Sequence, residues 1–175
     1  MEWLVRWDTR LTEWRRHLVA LGHRTTCYVG GHADRATRLV AQTACKRAGV
    51  DLIEVDTVGA DFYSGLEAAA AVARTGASAV LAHNDVIAAG LVNGFVAQGL
   101  CVPGRMSVVG RGDVPLAHMT SPSLTTISVP RREAGIAAIE LLHLMVTGAD
   151  IQVDPSPMTT GLVVRQSTGV APPVS

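Results

Sequence analysis

The chain reads as an α/β protein, a parallel sheet flanked by helices on both faces. Three observations predict it. Short β-rich runs alternate strictly with helical stretches from Thr25 to Val109. Those runs are almost continuously apolar, as strands covered on both faces are. The helical stretches end on glycines (Gly22, Gly49, Gly76, Gly99, Gly148), where a left-handed residue closes a helix.

Taken in order, Leu4-Val5 is the stub of a strand, and residues 1–9 read as disordered or as a crossing segment. Leu11, Trp14, Leu18 and Leu21 then recur at helical spacing. Thr25–Val29 reads as a strand closed by Gly30-Gly31. Asp34 is placed to cap a helix running to Ala48. Leu52–Val55 is the next strand, and the polar, aromatic connection 59–64 leads to a helix over Gly65–Thr75.

Ala79–Ala82 is a short apolar strand that ends abruptly in His83-Asn84-Asp85, with a helix following to Gln98. Pro103-Gly104 marks a turn, and Met106–Val109 is a further strand. Residues 111–124 lack periodicity and read as a loop or crossing segment. Thr125–Val129 is β-like. Pro130 opens a helix whose Ile136, Ile139, Leu142 and Met145 share one face. Gly161–Arg165 is a last strand, and residues 169–175 read as a frayed tail.

Composition bounds the function. With 175 residues, 48% of them apolar and 17% charged, the chain can bury a core. Fifteen basic and fifteen acidic residues cancel, so the basic excess of a nucleic-acid binder is missing. Cys27, Cys45 and Cys101 form neither a disulfide framework nor a zinc pattern, which fits a reducing cytoplasm. The six histidines show no ligand spacing, and no metal or other cofactor is expected. No nucleophile-elbow, P-loop or dinucleotide motif occurs, so no catalytic residue is assigned. No stretch approaches the ~18 apolar residues of a membrane span.

Several strings in order carry a resemblance: HLVALGH (17–23), FYSGLEAA (62–69), AHNDVIAAG (82–90), GLCVPGRMSVVG (99–110), SLTTISVP (123–130), EAG (133–135) and LVVRQST (162–168). Together they resemble the second half of the sensor domain in LacI/GalR-family transcription regulators. The resemblance implies one lobe of a periplasmic-binding-protein-like (type I) bilobal fold, its lobes joined by three crossings of the chain. A small effector, such as a sugar or nucleobase, binds between the lobes of that family. Operator DNA is read by a helix-turn-helix head, as a homodimer. Here the head and most of the first lobe are expected to lie outside the chain. Residues 10–110 and 130–168 are expected to form the C-terminal lobe, and 111–129 to return to the other lobe with Leu116, Met119 and Leu124 exposed. The helix from Asp85 and its neighbours are expected to face the dimer partner.

The resemblance also assigns candidate ligand contacts. Asp85 matches an effector-contacting aspartate, a carboxylate suited to paired hydroxyls or ring N–H groups. The competing reading makes it only the cap of the following helix. Asn84 beside it shapes the turn or joins the site. Phe62 and Tyr63 fall where the family stacks an aromatic on its effector, with core packing as the rival. Arg35 and Arg38 flank the position of an effector-binding arginine, although the glycine and aromatic expected nearby are replaced; a solvated helix face is the alternative. Gly110, Arg111, Asp113 and Pro130 are hinge candidates.

Two rival classes stand beside this reading. A periplasmic sugar carrier of the same fold would need an export signal. An enzyme using His83 and Asp85 as acid and base would need a nucleophile or cofactor motif, and fold alone does not supply an activity.

Overall fold

The computed structural model describes residues 12–31, 34–148 and 160–173. The Leu4-Val5 stub and Leu11 lie outside them. The elements run α1 (Glu13–Ala20), β1 (Thr25–Gly31), α2 (Arg35–Ala48), β2 (Asp51–Thr57), α3 (Phe62–Arg74), β3 (Ala79–Ala82), α4 (Asp85–Ala97), β4 (Ser107–Gly112), α5 (Leu116–Met119), β5 (Thr125–Ser128), α6 (Arg131–Thr147) and β6 (Gly161–Val163). They form one sheet of order β2-β1-β3-β4-β5-β6. Its first five strands are parallel, and β6 adds antiparallel at the edge.

The continuous apolar character of the central strands follows from their two packed faces. Cys27, Val29, Val80, Ala82 and Val108 point to one side, against Val72 of α3 and Ile87, Leu91 and Phe95 of α4. Their neighbours Tyr28, Ala79, Leu81 and Val109 point to the other, against Trp14 and Leu18 of α1 and Ala41 and Cys45 of α2. Strand periodicity therefore sends each apolar residue into one of two cores, and no face is left for water.

α4 is buried on most of its circumference because α3 lies directly on it. The approach depends on missing side chains: a Cβ at Gly65 would overlap the Ile87 carbonyl, and one at Gly90 the Phe62 carbonyl. Only Asn93, Val96 and Ala97 of α4 and the turn from Gln98 are exposed there.

A further boundary differs from the sequence expectations. Residues 111–129 do not leave the lobe. β4 continues to Gly112, and β5 pairs with it in parallel from Val109↔Thr125 to Gly112↔Ser128. Leu124 is completely buried and joins the core around Ile87, while Met119 stays 80% exposed. Sequence periodicity could not show this, because β5 is only four residues long and sits at the end of an irregular stretch.

The element that stands apart is α6. None of its seventeen residues is buried, and Ile136, Ile139, Leu142 and Met145 are all exposed. A helix with an unburied apolar face lacks the tertiary packing that supplies most helical stability. The tail is not frayed through its described part either: the Ala171 amide donates to the Leu21 carbonyl at 2.8 Å, and the Gly169 amide to Ser107 Oγ at 3.1 Å.

Candidate functional site

In an open parallel sheet, ligands bind beyond the carboxyl ends of the strands. Here that edge gathers Asp34 after β1, His83-Asn84-Asp85 after β3 and Arg111 at the end of β4. His83 and Arg111 lie two residues beyond the paired Leu81 and Val109, so the two side chains leave the same sheet edge.

Asn84, not Asp85, caps α4. Its Oδ1 accepts from the Ile87 amide at 2.8 Å, and its Nδ2 donates to the Ala60 carbonyl at 2.9 Å. Asn84 thereby fastens the β2–α3 connection to the rim. Asp85 is 1% exposed. Its Oδ2 accepts from the Val114 amide at 2.9 Å, and its Oδ1 accepts from the Thr126 hydroxyl. Neither the capping reading nor a carboxylate open to a cleft describes it, because both oxygens are turned inward onto β4 and β5.

A second carboxylate organises the other side of the edge. Asp34 caps α2 by accepting from the Thr37 amide at 3.3 Å. Its Oδ2 also accepts from the Tyr28 phenol and faces His83 Nδ1. Burial works to raise the Asp34 carboxyl, but the hydrogen bonds from Tyr28 and Thr37 and the nearby imidazole outweigh it and hold the group below its ordinary value. Burial and the Asp34 carboxylate together push the Tyr28 phenol far above its ordinary value, so it stays a donor. Because a carboxylate only accepts, His83 Nδ1 carries the proton when the ring is neutral. His83 Nε2 is then an acceptor, with no hydrogen bond among the described residues.

The arginines divide. Arg38 donates to Glu54 at 2.9 Å and to Asp56, and its guanidinium carbon lies 5.8 Å from the centre of the Tyr28 ring. Its charge is committed to β2. Arg35 is exposed. Arg111 donates to Thr37 Oγ1 at 3.0 Å, while its buried Nε has no partner among the described residues.

Phe62 and Tyr63 sit in the first turn of α3 rather than on the connection, capped by Asp61. Their rings meet edge to face at 5.8 Å, and Tyr63 is 71% exposed. Asp113 adopts φ +53° and accepts from Arg165 at 2.6 Å, which ties the end of β4 to the segment after β6. Gly110 and Arg111 lie inside β4, and Pro130 immediately precedes α6. Among the described residues no group of three or more His, Cys, Asp and Glu is arranged to hold a metal, and no helix is long and apolar enough to cross a membrane.

Sequence reasoning missed the Tyr28–Asp34–His83 cluster and the part played by Thr126. Asp34 was legible only as a cap. The signal for Thr126 lay in SVVGRG, where two glycines at the end of a strand mark a close approach by another group.

A mostly parallel sheet with helices on both faces and a polar carboxyl-end rim defines an α/β lobe. The chain belongs to the periplasmic binding protein-like domain family, whose profile matches residues 15–168. Among curated relatives, the transcriptional repressor PurR of Photobacterium profundum is 31% identical over 160 residues, covering 87% of this chain and 48% of the relative. The repressor CytR of Escherichia coli K12 is 36% identical over 95 residues, covering 54% of this chain and 28% of its own length. Among solved structures, a LacI-family regulator from Arthrobacter in complex with lactose is 26% identical at a TM-score of 0.76, over 90% of this chain and 63% of that one. A LacI-family regulator from Bifidobacterium animalis has a TM-score of 0.83 at 23% identity, covering 92% of this chain and 61% of its own, and so shares the fold. The chain spans about half the length of the PurR relative it matches.

Proposed function

We propose that this chain forms the C-terminal lobe of the ligand sensor in a LacI-type transcription regulator. The observation that carries the reading is the family match over residues 15–168, together with relatives that are themselves transcriptional regulators. The lobe is cytosolic and non-catalytic. It binds a small hydroxyl-rich effector, a sugar being the favoured class, as in the lactose complex of the Arthrobacter relative. Operator DNA is contacted through a helix-turn-helix head outside this chain, in a homodimer.

The groups left for a ligand are those the chain does not already use. Asn84 and Arg38 are committed internally, and so is Asp85. That leaves His83 Nε2, Arg111, Arg35, Phe62 and Tyr63 facing the rim. An acceptor and guanidinium donors on one rim suit neighbouring hydroxyls, and the exposed Tyr63 ring suits the apolar face of a sugar. We read α6 as the part that passes to a facing lobe, which would cover Ile136, Ile139, Leu142 and Met145. A ligand held between the lobes favours one arrangement of them, and only its difference in affinity between arrangements can move the DNA-binding heads.

A thermal-shift screen of sugars, lactose and ribose included, tests the reading on this chain and on a version extended to the relatives' length. The expected result is stabilisation of the extended protein, and release from or capture of operator DNA by the same sugar. An extended protein that neither binds operator DNA nor responds to any sugar would overturn it.

A further inference from the structure

We propose that Asp85 is the positioning residue at the root of α6, fixing how that helix leaves the lobe. Its carboxylate reaches two segments, and the first residue of α6 lies across the gap beside it. Oδ2 accepts from the Val114 amide at 2.9 Å, just past the end of β4. Oδ1 accepts from the hydroxyl of Thr126 in β5, a residue with no exposed surface. That hydroxyl in turn accepts from the Asp113 amide at 3.4 Å. The carboxylate and Thr126 together therefore hold the bend at Gly112 and Asp113, whose φ angles are +133° and +53°.

α6 begins on the far side of the same gap. A Cβ at Gly110 would overlap Asp85 Oδ1. One at Gly112 would lie 3.2 Å from Asp85 Oδ2 and would overlap the guanidinium of Arg131. The two glycines thus open a gap bordered by the carboxylate on one side and the first residue of α6 on the other. Only Val129 and Pro130 separate Arg131 from β5, so a clamp on Thr126 and a cation at this gap fix the direction of the helix.

Charge explains why the position is an aspartate. A buried carboxylate is costly unless it is hydrogen-bonded and offset by positive charge. Here the offset comes from the N-terminus of α4, in whose first turn Asp85 sits. The carboxylate fixes β5, from which α6 departs, and the same helix N-terminus also carries the rim through Asn84. A change at the rim is transmitted to α6 by this shared turn. That regulatory meaning rests on the reading of α6 as the segment passing to a facing lobe.

Hydrogen exchange on the 175-residue chain tests the anchor without any ligand. Asp85→Asn, Thr126→Val and Gly112→Ala are compared with the unaltered protein. The reporters are the Val114 amide and the Ala134 amide, which donates to the Pro130 carbonyl at 2.9 Å. Tenfold or faster exchange at both reporters is expected in all three variants, with residues 27–29 and 80–82 still protected. Unchanged exchange at Val114 and Ala134 would overturn the proposal. So would uniform acceleration across the sheet, which would make Asp85 an ordinary core group. If Asp85→Asn does not fold, the milder Thr126→Val and the Gly112→Ala variant decide. Failure of sugar binding would sink the functional reading and leave this result standing.

Discussion

His23 Nε2 lies 3.1 Å from the carbonyl oxygen of Gly169, joining the entrance of β1 to the last described turn of the chain. A carbonyl only accepts, so Nε2 is the donor and the neutral ring accepts the Ser78 hydroxyl at Nδ1, 2.7 Å away. The imidazole is 1% exposed and has the Ser107 hydroxyl 3.0 Å from the same Nε2. It is the pin that keeps the tail docked.

Burial lowers the pKa of His23 below its ordinary 6.5, against a smaller opposing effect of the Gly169 carbonyl. The unfolded chain therefore binds the proton more readily than the folded one. Stability is full above pH 6.5 and declines as pH falls below it. Thermal midpoints measured from pH 8 to pH 5 should drop for the wild type and drop less steeply for His23→Gln. Parallel slopes would show that His23 titrates as it does in the unfolded chain.

Asp34 has the opposite chemistry and a lower window. Its folded pKa is depressed, so its contribution is present above the ordinary carboxylate value of 3.8 and lost as pH falls through the folded one. Asp34→Ala removes both the α2 cap and the acceptor for Tyr28, and should lose about 1–2 kcal/mol at pH 7 on the capping term alone. Urea unfolding at pH 7 and pH 3 measures it. The difference between variant and wild type should shrink at the lower pH.

Leu124 and Met119 test where the lobe ends. Leu124 is completely buried, so Leu124→Ala should lose about 2–5 kcal/mol. Met119→Ala, at an exposed position, should change stability by less than ~0.5 kcal/mol. Equal, small effects would return residues 111–129 to the status of a loose crossing segment.

These residues also show how far the sequence could be read. The central strands and the helices α1 to α4 were legible because their signals are local: apolar runs, glycine stops and the Asp34 cap. The lobe boundary was not. β5 has four residues, two of them buried threonines, and only its pairing with β4 identifies it as a core strand. α6 has an apolar face that reads as core-facing, yet amphipathicity does not say which body covers it. Asp85 was visible as the polar residue at a strand end. Its inward orientation depended on Thr126, 41 residues away, and on the gaps at Gly110 and Gly112.

The exposed face of α6 gives the last test. Ile139 is 71% and Leu142 59% exposed, and α6 buries no residue. Replacing both by lysine removes apolar surface that none of the described residues covers. The double variant should therefore unfold within about 0.5 kcal/mol of the wild type, as surface changes do. A contiguous apolar patch also promotes association between molecules. Sedimentation velocity should show self-association of the wild-type chain with rising concentration, and less of it in the variant. The same pair of changes in a protein extended to the relatives' length should be strongly destabilising, because there the face would be buried against the other lobe and two charges would have to be desolvated. Destabilisation of both proteins to the same extent would mean that α6 packs on this lobe after all.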